Sequence, residues 1–503
     1  MRVNIFCIPA AEIEACKAKL VASQMQVIKQ VDQAGWHGEF FYSTNPSYIP
    51  VGWAKTYAEY FEGIKAPSNL NHWAAFVLTK GDRCYVLGYG KAHFYLRPFC
   101  DYDFGIEVAK RIANEADTRQ TASRRFQGTK KKDIKSFANN TLLDVESGES
   151  VDYIQAGVTV AERPTFGKSG KFGSSALLTP DIEPAGIGSF LDKLDAELAK
   201  PARFPLPRTT IITEPEEIVR FDELLLDELT SNIGATEFTH NSFDLYGVDF
   251  VFSNDGAYTI SCPGKPKLEV EHLSVGDLKT YISDNHLERK DILRIKVRHD
   301  PEDAIGFNRE LKETLDFIAD DEQVLLTGGK WMHFNQDYLD FLDEFLKSIE
   351  VEETEPEFLQ IFDDEPAFNI SAHVKNAGYE VADKNFSILK TKSSTPIEAW
   401  DLRRGSRVYA VKFGTAQKLN YVCDQSTAVL ELLRNKAGVR KVPNFQSYCL
   451  WLGYRGKKQL HGIADTGSII LKQKIEIWAR KAREVGVDPV IKISRKMKQG
   501  IDE

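Results

Sequence analysis

The stretch TPIEAWDLRRGSRVYAVKFGTAQKLNYVCDQSTAVLELLR, residues 395–434, decides how the rest of the chain is read. PIEAWDL and RVYAVKFG are two runs suited to strands, and Arg403-Arg404-Gly405-Ser406 between them predicts a hairpin. LNYVCDQSTAVLELLR follows with helical spacing. Upstream, DDEPAFNISAHVKNAGYEV predicts a helix ending at Gly378, with Tyr379 opening another strand. The order is therefore helix, strand, strand, strand, helix.

That order is the core of the restriction-endonuclease-like fold. Its chemistry needs two carboxylates to hold a magnesium ion and a lysine to orient the attacking water. Asp401 ends one predicted strand and Lys412 sits inside the next. The acid expected two residues before the lysine, on the same face, is replaced by Ala410. Glu398 lies three residues from Asp401 and points to the opposite face unless a bulge intervenes. Glu365 can reach the site from the preceding helix, and Gln425 from the following one. The candidate catalytic set is Asp401, Lys412, Glu398 and Glu365, with Asp401 as the metal ligand. Magnesium is expected only if the chain is a nuclease, and otherwise no cofactor. Arg403, Arg404 and Arg407 would then grip phosphates beside the cut. The plainer alternative is a half-buried hairpin with Lys412 reaching solvent along its stem.

Charge is unevenly placed. The 503 residues carry a formal net charge of −9, yet residues 395–503 hold 21 Lys/Arg against 10 Asp/Glu. Residues 301–368 hold 4 basic and 20 acidic residues. Two arrangements fit: an acidic middle and a basic end with separate tasks, or two opposite faces that pack together. The last predicted helix, GSIILKQKIEIWARKAREVG, turns Ile470, Ile475, Trp478 and Ala482 inward and carries Arg480 and Lys481 among its cations. With Lys457 and Lys458, and with Tyr448, Trp451 and Tyr454 interleaved, it suits phosphate binding with base stacking. Lys130, Lys131 and Lys132 lie in a second basic stretch, RQTASRRFQGTKKKDIKSF, read as polar and exposed. The partner expected first is DNA, then RNA; the alternative is a non-enzymatic sensor or scaffold that works through a protein partner at the acidic 301–368 region, with no membrane and an oligomer possible.

Length calls for two or three domains. Composition, with 42% hydrophobic and 27% charged residues, is that of a soluble globular protein. The opening MRVNIFCIPAAEIEACKAKL reads as a strand and helix rather than a secretion signal, and a cytoplasmic setting follows. Seven scattered cysteines without a CxxC pair read as free thiols. No HExxH or G-x-S-x-G spacing occurs. The expected units are an α+β domain over 1–205, a mostly β domain with an acidic helix over 206–355, and a basic α/β module over 356–503. Proline-rich 201–207 and the acidic run 350–357 mark the boundaries. Lys80-Gly81-Asp82 predicts a hairpin in the first unit. TFGKSGKFGSS departs from a phosphate loop, because Glu162 stands where a glycine is needed, and it reads as a flexible basic loop. A rival reading nevertheless has nucleotides bound through Lys168. Asn335 predicts the cap of a helix over 336–349. The whole is an α+β multidomain chain with mixed and antiparallel sheets and flanking helices.

Several of these stretches resemble a known family. GYGKAHFYLRPFCDYDFGIEVAKRIAN, Phe166-Gly167-Lys168, GGKWMHFNQDYLDFLDEF and PIEAWDL with VYAVKFGTAQKLNYVCDQS are similar to a sporadically distributed bacterial domain-of-unknown-function family. Its members are of the kind found in mobile-element and phage-defence loci. The resemblance implies DNA-directed defence and names no reaction. Where the family pattern has Asn-Glu on the helix before the two strands, this chain has Asn369-Ile370.

Overall fold

Two-residue turns and strand alternation build the first layer. The structure, a computed structural model, describes residues 1–44, 47–50, 54, 57–64, 68–127, 132–231, 236–238, 245–246, 249–250, 257–271, 273–300, 307–382, 389–390, 396–397, 399–434, 444–456 and 459–498. Ala74–Lys80 and Arg83–Tyr89 pair antiparallel through Gly81-Asp82, where Gly81 takes φ +63°, as the sequence predicts. They sit inside a ten-stranded antiparallel sheet whose edges are Met25–Gln33 and Lys132–Thr141. Helices Phe104–Ile112 and Ile187–Leu198 bury apolar stripes on one face. Ile13–Ala22 and Ala92–Leu96 cover part of the other.

Two segments depart from their sequence reading. The polar stretch 119–137, expected to lie exposed, supplies parts of two long paired strands, Ala113–Arg124 and Lys132–Thr141. Thr118, Thr121 and Ser123 are buried there, because ladder hydrogen bonds and neighbouring strands satisfy groups that composition alone marks as solvated. TFGKSGKFGSS is likewise not simply a loop: Ser169–Phe172 within it is a sheet strand, paired with Ala176–Leu178 just after it. Gly167 is required at its entrance, since a Cβ would meet the Thr179 carbonyl at 2.4 Å.

The central part holds a five-stranded and a four-stranded sheet. It is richer in helix than its sequence suggests, with Pro215–Thr230 and Val275–Asp284 packed on one side. Helix Gln336–Lys347 forms where predicted, and the Asn335 side chain accepts from the Tyr338 amide at 2.9 Å. Its buried residues Tyr338, Leu342 and Leu346 join Phe126 and the C-terminal helices in one core.

We number the elements of the C-terminal unit in chain order. They are β1 (Glu350–Glu352), α1 (Glu365–Ile370), β2 (Glu380–Val381), β3 (Leu402–Arg404), β4 (Arg407–Gly414), α2 (Ala416–Arg434), β5 (Ser447–Tyr454), α3 (Ile469–Glu484) and β6 (Asp488–Lys496). The sheet order is β1-β6-β5-β4-β3-β2. Strands β1, β6, β5 and β4 run parallel, while β3 and β2 are antiparallel additions. The acidic run 350–357, expected as a linker, thus supplies an edge strand. α2 and α3 cover the face carrying Ala410, Leu450 and Ile491. Phe358, Phe368, Val374 and Tyr379 cover the face carrying Val411, Trp451 and Val490. Among the described residues no helix is long and apolar enough to cross a membrane.

Candidate functional site

The hairpin forms, with Leu402 opposite Tyr409 and Arg404 opposite Arg407. Asp401, 8% exposed, is stitched between strands. Its amide donates to the Tyr409 carbonyl at 2.9 Å, and its carbonyl accepts from Ala382 at 2.7 Å. Its Oδ2 accepts from the Val411 amide at 2.6 Å. Lys412, one residue on, places Nζ 2.7 Å from Glu365 Oε2 and 5.8 Å from the centre of the Tyr421 ring. Glu365 opens α1, which Asp364 caps by accepting from Ala367. The structure therefore brings Glu365 and Lys412 together and ties Asp401 to the Val411 amide. Glu398 lies outside the described residues.

The described members of the set, Asp401, Glu365 and Lys412, supply too few free oxygens for a magnesium ion. A hard divalent cation needs about six oxygen ligands. Ala410 offers none, one Asp401 oxygen already accepts an amide, and Glu365 is held by an ammonium group that repels cations. Among the described residues no group of three or more His, Cys, Asp or Glu is arranged to hold a metal.

The candidate phosphate-binding cations are mostly committed elsewhere. Arg404 and Arg407 lie at the amino end of β4, roughly 17 Å from Lys412 at about 3.3 Å per residue. They cannot flank Lys412. Arg404 pairs with Glu352 and Glu355 at 2.8 and 2.7 Å, and Arg407 with Glu352 and Glu350 at 2.6 and 2.8 Å. Arg403 donates to the carbonyls of Gly405 and Asn444. Arg480 is held by Glu476 and Ser147 and stacks on Phe345, while Lys481 pairs with Glu484. Burial, with Arg124 nearby, pulls the Lys132 ammonium down to about 8. Lys130, Lys131, Lys457 and Lys458 lie outside the described residues. Tyr448 and Trp451 are core residues; of the three aromatics only Tyr454 is part-exposed.

Sequence reading missed the centre of this arrangement. Lys492, fully buried in β6, donates to Glu352 at 2.8 Å, Glu355 at 2.5 Å and the Tyr379 hydroxyl at 2.8 Å. Its Nζ also lies 4.4 Å from the Trp451 ring centre. Burial works against both carboxylates, but Lys492 and the arginines overcome it. Glu352 is lowered, and Glu355 is pulled down to about 2. The one signal was a lysine within PVIKIS, an otherwise apolar central strand. With Lys472–Asp343 and Lys412–Glu365, these pairs set the acidic middle against the basic end inside one molecule. The acids offered to a protein partner thus include several that are already paired, and residues 301–306 lie outside the described ones.

A cleft of about 1020 Å³ opens at the carboxyl ends of β4 and β5. Thr415 and Ala416 follow β4, Tyr454 and Arg455 end β5, and Phe126, Asp316 and Asp320 form other walls. Asp320 docks the central part here by capping α3, accepting from Ser468 Oγ and from the Ile470 amide at 2.8 Å. Most acids in the lining are paired: Asp227 with Arg289, Glu228 with Lys279, Glu322 with Arg220 and Asp424 with Lys474. Asp316 Oδ1 and Asn420 Oδ1 are buried and have no hydrogen-bond partner among the described residues.

No curated protein and no solved structure matches the chain. Residues 11–445 match the profile of DUF6119, described as a family of unknown function. That span includes the hairpin and α2 and stops just before β5. The chain belongs to the DUF6119 family.

Proposed function

We propose that this protein holds nucleic acid, most readily DNA, through a degenerate restriction-endonuclease-like module at its C-terminal end, and does not cut it. The supporting observation is the sheet β2-β3-β4-β5, antiparallel twice and then parallel, with a helix before β2 and α2 before β5. On it a β4 lysine meets a carboxylate from the helix before β2, and an aspartate sits just before β3. The absent second carboxylate at Ala410 removes the metal, so the reading stops at binding. Phosphates approach from the carboxyl end of β4, where the Lys418 and Arg455 side chains show no carboxylate partner among the described residues. The setting, defence against foreign DNA, rests on the family resemblance of the sequence alone.

The test uses the full chain with labelled duplex DNA, single-stranded DNA and RNA. Affinity for DNA falls about tenfold or more between low and physiological salt if several phosphates are neutralised. A Lys418→Glu/Arg455→Glu variant weakens binding, whereas Arg403→Glu leaves it within about twofold. Plasmid stays intact with Mg²⁺ or Mn²⁺. Salt-independent binding, or none at low salt, would remove the proposal. Metal-dependent cutting lost in both Asp401→Ala and Lys412→Ala would instead restore an active nuclease.

A further inference from the structure

We infer that the cleft at the carboxyl ends of β4 and β5 is a binding site for a nucleobase. Four observations converge on it. Its position is where parallel strands joined through a crossover helix leave a ligand crevice beyond their carboxyl ends, and its volume of about 1020 Å³ exceeds what a base with its sugar and phosphate requires. The Tyr421 side of the cleft is open, because that residue is 63% exposed, and part-exposed Tyr454 adds further aromatic surface. Asp316 Oδ1 and Asn420 Oδ1 have no donor among the described residues, a deficit that ligand N–H groups remove. Arg455, on the same lining, supplies a cation for a phosphate.

The same chemistry narrows the ligand. Asp316 is a lesser favourable charge for Arg124, whose main partner is Asp152, and for Lys132, whose ammonium burial pulls down. Two cations already beside this carboxylate disfavour a third, so a simple ammonium ligand suits the site poorly. Neutral N–H donors suit it well. Guanine presents two adjacent ones on its Watson–Crick edge, a donor pair suited to acceptor oxygens such as Asp316 Oδ1, and its ring can stack on tyrosine. Adenine offers only its amino group there. The base can belong to a free mononucleotide or to an exposed single strand. In the second case the inference rests on the nucleic-acid reading above; in the first it does not.

The experiment is calorimetric titration of the full chain with GMP, AMP, CMP and UMP in turn, with melting temperature recorded in parallel. GMP binds most tightly and raises the melting temperature. Tyr421→Ala, a change at an exposed position that leaves the fold intact, weakens GMP by about tenfold or more through lost stacking. Asp316→Asn weakens GMP by a similar factor of about ten and narrows its margin over AMP. A guanine-containing single strand that displaces GMP identifies the strand as the source; a strand that binds without displacing it identifies the free nucleotide. No heat and no melting shift from any nucleotide at millimolar concentration overturns the inference, and so does GMP binding that neither substitution alters. Oligonucleotide binding without any mononucleotide response, unchanged in Tyr421→Ala, removes the cleft and leaves the nucleic-acid reading standing. GMP binding without oligonucleotide binding does the opposite.

Discussion

Two regions of the C-terminal mixed sheet are built from the same strands and solve their polar groups in opposite ways. Along the β1 side of the sheet, from the amino end of β4 to the level of Val411, Arg404, Arg407 and Lys492 meet Glu350, Glu352, Glu355 and two tyrosine hydroxyls. Each charge has its counterpart, and a fully buried lysine is tolerated because of it. At the carboxyl end a cleft stays open, with acceptor oxygens that nothing in the described chain satisfies. A saturated network costs stability when touched, whereas an unsatisfied one is where a ligand can be recognised. Cations therefore mark function poorly by their number. What matters is whether the fold has already spoken for them.

Substitutions can break that contrast, and the largest effects belong to the closed end. Glu352→Ala leaves Lys492 buried with half its compensation and should destabilise the chain by about 3–5 kcal/mol in urea unfolding followed by tryptophan fluorescence. A loss below about 1 kcal/mol would show that the network is no more than a surface cluster.

Acid acts on the same groups. Glu355 has its folded pKa depressed to about 2 from an ordinary 4.5, so its contribution is complete above about 4.5. It is lost as pH falls from there toward 2, and Glu352 moves in the same direction. Unfolding midpoints should hold from neutrality to about 4.5 and then drop, with a shallower drop in Glu355→Gln. An identical acid limb in that variant would contradict the assignment.

Asp401→Ala removes the acceptor of a buried amide and should cost about 1–3 kcal/mol, while Asp401→Asn, which keeps a carbonyl oxygen, costs less. Equal losses in both would mean that its charge, not its hydrogen bond, matters. The smallest effect is at Lys412–Glu365, a part-exposed pair whose coupling in a double-mutant cycle should be about 0.2–1 kcal/mol.

How much the sequence revealed follows from how local each signal is. The Gly81-Asp82 turn, the Asn335 cap, the Arg403–Ser406 hairpin and helix α2 all rest on residues close in the chain, and each forms. Glu365 and Lys412 were placed together from element order, and they meet. Strands 113–124 and 132–141 were hidden because burial of threonine and serine depends on partners elsewhere in the chain. Glu352 finds Lys492 across 140 residues of sequence, a pairing no spacing rule reaches. The cleft was invisible for the same reason: Asp316 and Asn420 line it from different sheets' elements, and neither stands in a motif.

Glu476 on α3 has no exposure at all, and two of its partners come from the far end of the chain: Arg125 at 2.9 Å and Ser147 at 3.0 Å. Phe126 is inserted into the same core. A gene fragment encoding residues 356–503 would lack these neighbours and β1 together, exposing apolar surface and stranding a buried acid and a buried lysine. The basic end is thus no transferable cassette. Recombination that swapped it between relatives would have to carry matching changes more than 300 residues upstream, which ties the inheritance of the sheet to that of the N-terminal strands.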